Sequence, residues 1–135
     1  MTNPSKRKGT AFESTVVPYL REHHNPAAHR NVQMGAEDIG DISGYYLHAL
    51  EAKAEKSIDL PGYIRQANRE AVNVGQPFGC AVVKKRNATV ADAYVVRDLR
   101  TDVRLMNRLR DAEELLRDVA PTVYADFEQR HREAA

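Results

Sequence analysis

A chain of 135 residues is long enough for one core of ordinary size, and its 42% hydrophobic and 29% charged residues exclude a disordered chain. No apolar run approaches the roughly 18 residues that cross a bilayer, and the basic start MTNPSKRKGTAFE has no apolar segment behind it, so no membrane partner and no secretory signal are expected. With a formal net charge of +1, any binding to nucleic acid must come from local concentrations of Lys and Arg.

Residues 1–8 read as a polar, basic arm. From about Gly9 to Glu22, Phe12, Val16, Tyr19 and Leu20 recur at helical spacing, Thr10 with Glu13 resembles a capping box, and Pro18 predicts a kink. The segment HHNPAAHR reads as loop. His23, His24 and His29 have no nearby cysteine and match no zinc-ligand spacing, so they read as loop histidines. Two short runs joined around Gly44, GAEDIGDISG and YYLHALEAK, predict a β-hairpin. Along the second run Leu47, Ala49, Glu51 and Lys53 share one face, while His48, Leu50 and Ala52 share the other.

Asp59, Leu60 and Pro61 open a helix to about Val74, with Gly75 as its stop and Ile64, Ala67, Ala71 and Val74 as its apolar stripe. FGCAVVK predicts a strand, and the single cysteine, Cys80, buried within it, points to a reducing, cytoplasmic compartment. KRNAT reads as a turn and VADAYVV as a further strand. A charged amphipathic helix follows from about Thr101 to Val119, on Val103, Met106, Leu109, Leu116 and Val119, and Pro121 ends it before a shorter helix. That stripe either covers the sheet or forms a dimer contact. The order of elements predicts a mixed α/β domain: an arm over 1–8, a core over 9–96 and a C-terminal helical segment over 97–135.

The chemistry concentrates in DISGYYLHALEAK. Glu51 and Lys53, two apart on a strand, point the same way, about 7 Å between Cα atoms, and the hairpin brings Asp41 beside them. Two converging carboxylates form an oxygen-rich site that suits Mg²⁺, which lowers the pKa of a bound water and polarises a phosphodiester. A neighbouring ammonium orients that water or offsets charge on the phosphate. An acid-x-Lys pair on a strand is, on its own, more often a solvated ion pair. Here apolar Leu47, Ala49 and Leu50 surround it, and Glu13 lies on the preceding helix.

The order KGTAFE, then R and G before DIGDISG, then LHALEAK, the helix with Gln66, and CAVVKKR resembles the Holliday-junction resolvase branch of the PD-(D/E)xK nucleases, over about residues 6–96. The resemblance implies a restriction-endonuclease-like fold, with a central mixed sheet flanked by helices, and a homodimer acting on four-way DNA junctions. It implies Mg²⁺, with Mn²⁺ able to substitute, held by Asp41, Glu51 and the Ala52 carbonyl, with Glu13 as a ligand directly or through water. Lys53 becomes the catalytic lysine, and Gln66 a polar residue near the site. Gly40 stands where the family carries proline, and Asp38 is a second candidate for the aspartate. Lys6, Arg7, Lys8, Arg30, Lys84, Lys85 and Arg86 are the basic residues expected on DNA, and Gln66 is expected to contact it with them. The alternatives are another nuclease of the same superfamily (repair, restriction-like or nicking) and a non-catalytic nucleic-acid-binding protein on the same fold.

Overall fold

The computed structural model describes residues 4–32 and 39–132, with residues 4–8 described as backbone only. The chain forms two compact units, one ending at Asp98 and the other beginning at Leu99.

The first unit opens with α1, Pro4–His23. It starts before the expected Gly9, so the backbone of 4–8 is helical rather than an arm. Thr10 lies inside the helix, where its carbonyl accepts from Ser14 Oγ at 2.9 Å, so the expected capping box is not a cap. Two short strands follow, β1 (His29–Arg30) and β2 (Ile42–Ser43), and then β3 (His48–Lys53). The hairpin around Gly44 forms as expected, with Ile42 opposite Leu50. Gly44 holds φ +103, and a Cβ there would come within 2.6 Å of the Ala28 Cα, so the turn needs glycine on both counts. Leu47, expected on the strand beside Ala49, instead sits in the turn with φ 63.

Helix α2 spans Leu60–Val74. The Asp59 carboxylate accepts from the Gly62 N–H at 3.1 Å, and Gly75 closes the far end in the left-handed region at φ 73. The connection leads into β4, Phe78–Val83, which pairs parallel with β3 from His48↔Phe78 to Lys53↔Val83. The expected VADAYVV strand divides: Val90–Asp92 is a single 3-10 turn, and only Tyr94–Val96 forms β5, antiparallel to β4. Among the described residues the result is an α/β unit with a five-stranded mixed sheet in the order β1-β2-β3-β4-β5.

Both faces of the central strands are covered. On one, Ile42, Leu50, Ala52, Cys80 and Val82 pack with Phe12, Val16, Val17 and Leu20 of α1. On the other, Ala81 and Val83 pack with Tyr63 of α2. Truncating a buried residue such as Leu50 to Ala would cost about 2–5 kcal/mol. The α2 helix lies so close that a Cβ on Gly79 would collide with the Ala67 carbonyl. His48 is buried, stacked on Tyr45 at 4.7 Å and 5.5 Å from Phe78.

The second unit consists of α3, Leu99–Val119, and α4, Pro121–Arg132. Among the described residues, no helix is long and apolar enough to cross a membrane.

Candidate active site

The parallel β3–α2–β4 unit decides where the polar groups go. Glu51 and Lys53 share the β3 face that α2 covers, and the hairpin returns Asp41 to the edge of β3. Asp41 Oδ2 accepts the Ala52 N–H at 2.9 Å, and the Asp41 N–H donates to the Leu50 carbonyl at 3.0 Å. A strand residue aims its N–H and C=O at the same edge. The Ala52 carbonyl therefore also faces the side where Asp41 stands.

These groups open into a cleft of about 490 Å³ lined by Glu13, Arg30, Asn31, Asp41, Glu51, Ala52, Lys53, Glu55 and Gln66, among others. The structure thus brings Glu13, Asp41, Glu51, Lys53, Ala52, Arg30 and Gln66 to one place. Lys84 and Arg86 line an adjoining cleft of about 470 Å³ with Lys56, and Ala54 and Glu55 border both. Lys85 is exposed and lines neither. Asp38 and the side chains of Lys6, Arg7 and Lys8 lie outside the described residues.

Glu51 is the group least at ease. It is 1% exposed, as deeply buried as Ile42 and Leu50 in the core. Gln66 Nε2 donates to its Oε2 at 3.0 Å, and Lys53 Nζ lies 3.5 Å from the same oxygen. Burial pushes its carboxyl far above the usual range, and a hydrogen bond with Glu70 and the negative charges of Asp41 and Glu70 push it further; only Lys53 pulls it back. Glu51 Oε1 is buried and has no hydrogen-bond partner among the described residues.

Lys53 is fixed from several sides. Its ammonium donates to Gln66 Oε1 at 2.8 Å and sits 5.3 Å from the centre of the Tyr63 ring. Tyr63 is fixed in turn by donating its hydroxyl to Glu55 at 2.7 Å. At the outer edge Arg30 donates to Glu13 at 2.8 Å. Burial and the Asp41 charge still hold the Glu13 carboxyl above its ordinary range, against the pull of that guanidinium.

Two features escape a reading of the sequence. Glu70, 0% exposed, stands behind Glu51 and accepts from Gln66 Nε2 at 3.0 Å. The signal was present: Glu70 falls three residues after Ala67, on the inward side of α2, where an acid has no reason to be unless it has a task. The second is the pairing of Arg30 with Glu13 within the site.

The cleft carries Glu13, Asp41, Glu51 and Glu55 against Arg30 and Lys53, with Glu70 behind. The excess negative charge favours a cation. Among the described residues, no group of three or more His, Cys, Asp or Glu is gathered tightly enough to hold a metal by itself. Mg²⁺ does not need such a cage, since it keeps several waters and takes one or two carboxylates. Asp41, Glu51 and the Ala52 carbonyl are the groups that could supply such a set, and a divalent ion there would offset the burial that raises the Glu51 carboxyl.

Comparison with known proteins finds no matching family model, no matching curated protein and no matching solved structure.

Proposed function

We propose that this chain is a Mg²⁺-dependent endodeoxyribonuclease of the PD-(D/E)xK kind, acting on branched DNA, with the four-way junction as its preferred substrate. The observation that carries the reading is the convergence of Asp41, Glu51 and Lys53 in one cleft, with Gln66 bonded to both Glu51 and Lys53. Asp41, Glu51 and the Ala52 carbonyl would hold the ion, which supplies an acidified water and polarises the phosphate.

The chain's own residues do the rest. In hydrolysis the water oxygen bonds to phosphorus as one ester P–O bond breaks, leaving one phosphate end and one hydroxyl end. Lys53 presents a positive charge where the phosphate gains negative charge, held in place before reaction by Gln66 and Tyr63. Lys56, Lys84 and Arg86 border the adjoining cleft, within reach of the backbone of a strand that continues past Glu55. Glu13 with Arg30 closes the outer edge. Such a substrate places the protein inside the cell, and two copies would supply the two cuts that resolve a junction.

The test is cleavage of a synthetic four-way junction beside a linear duplex of the same sequence, with Mg²⁺. Preferential cutting of the junction supports the full reading. Equal cutting of both keeps the nuclease and removes the junction preference, and no cutting of either with Mg²⁺ or Mn²⁺ overturns it.

A further inference from the structure

The helices of the second unit carry a pattern of their own. Only Ala120 separates α3 from α4; its N–H donates to the Leu116 carbonyl at 2.8 Å, and the Tyr124 N–H donates to the Ala120 carbonyl at 2.9 Å. Both bonds have helical spacing. Pro121 removes one rung, yet Arg117 still reaches Tyr124 seven residues on, with its guanidinium 4.7 Å over the ring and Nη2 3.0 Å from the hydroxyl. Ala120 thus takes the last bond of α3 and accepts the first of α4, and α3 carries the pattern that follows.

Along α3 Leu105, Leu109, Ala112, Leu116 and Val119 recur at alternating spacings of four and three, the seam of a helix that packs against another helix. Leu109 is 45% exposed and Ala112 is exposed, while Leu105 and Leu116 are half-buried at the flanks of the seam. The charges are sorted by half. Residues 99–110 carry Arg100, Arg104, Arg108 and Arg110 against Asp102, whereas 111–119 carry Asp111, Glu113, Glu114 and Asp118 against Arg117. Like charges four apart, as in Arg104 with Arg108 and Glu114 with Asp118, weaken an isolated helix.

A second copy laid antiparallel reverses that penalty. Its acidic half lies along the basic half of the first, and two-fold symmetry repeats the match at the other end. The same alignment sets Leu109 against Ala112 of the second copy and Leu105 against Leu116 of the second copy, large beside small at the centre. A parallel pair would stack like charge on like. We propose that α3 is a self-association surface on which two copies of this chain pair antiparallel along the Leu105–Leu109–Ala112–Leu116 seam. The proposal does not depend on the catalytic reading.

Sedimentation of the full chain tests it. The wild type should be a dimer at micromolar concentration, and raised salt should weaken the dimer. Two charge-reversed variants, R104E/R108E/R110E and D111K/E113K/E114K, should each be monomeric alone and should pair when mixed. Orientation is read from Leu105→Cys and Leu116→Cys under mild oxidation, with the native Cys80 buried and out of reach. Antiparallel pairing gives a disulfide only in the mixture of the two. A monomeric wild type, a dimer indifferent to both charge reversals, or self-linking of Leu105→Cys alone would each overturn the proposal, and none of these readouts depends on cleavage.

Discussion

Lys53 Nζ sits 2.8 Å from Gln66 Oε1, and the amide nitrogen of the same Gln66 donates at 3.0 Å to both Glu51 and Glu70. The amide has only one orientation that serves these partners: oxygen to the ammonium, nitrogen to the acids. Gln66 thereby ties the Lys53 ammonium to the Glu51 carboxyl.

Gln66→Ala should therefore lower kcat by on the order of 10- to 100-fold, the usual effect of losing a partner that orients a site group. KM for DNA should change little, since Gln66 lies beneath the cleft's charged rim. A steady-state comparison with the wild type checks this, and a loss confined to KM would show that Gln66 contacts substrate instead.

Gly79→Ala should act on the same pair from a distance. A Cβ at Gly79 meets the Ala67 carbonyl, so α2 must shift off β4 and carry Gln66 with it. The expected result is a loss of about 1–3 kcal/mol in stability, with a fall in activity larger than that loss explains. Denaturant unfolding alongside a rate measurement checks both.

The burial of Glu51 beside Glu70 makes a prediction about pH. Its carboxyl is held well above the ordinary range by burial first, then by Glu70 and Asp41. The folded protein thus keeps a proton that the unfolded chain releases in the usual carboxylate range. Stability from this group is complete below that range and is lost as pH rises through neutrality. In the presence of chelator, Glu51→Gln should therefore raise Tm, and the gain over wild type should grow between about pH 6 and about pH 8.5. Mg²⁺ should raise the Tm of the wild type but not that of the variant. A gain that shrinks with rising pH would contradict the assignment.

Ca²⁺ should let the protein bind DNA with little turnover, because it takes longer and looser coordination than Mg²⁺. Asp41→Asn keeps an oxygen for the Ala52 N–H, so the hairpin should survive while cleavage falls by on the order of 10²-fold or more. Binding assays in Ca²⁺ paired with cleavage in Mg²⁺ separate the two effects.

Much of this arrangement is legible in the sequence where local chemistry is strong. The Asp59 cap, Pro61 and Gly75 bound α2, and the alternation of Ala49, Glu51 and Lys53 places acid and lysine on one face. β1 escapes because His29 and Arg30 are both exposed and leave no apolar trace. The start of α1 escapes because a lysine-rich stretch resembles a solvated arm, although Lys and Arg are good helix formers. Glu70 escapes because reading α2 for its apolar stripe passes over a charged residue at an inward position. The pairing of Arg30 with Glu13 spans 17 residues and depends on how a loop returns, which no spacing rule records.

The central claim is that Glu51 and Lys53 serve one hydrolytic reaction. The most direct test is single-turnover cleavage of a four-way junction in Mg²⁺ by the wild type, Glu51→Gln and Lys53→Ala, with junction binding in Ca²⁺ measured on the same preparations. The account predicts cleavage by the wild type, a loss on the order of 10²-fold or more in each variant, and binding that is unchanged or slightly tighter in Glu51→Gln, where a negative charge near the phosphates is gone. Normal cleavage by both variants would contradict it.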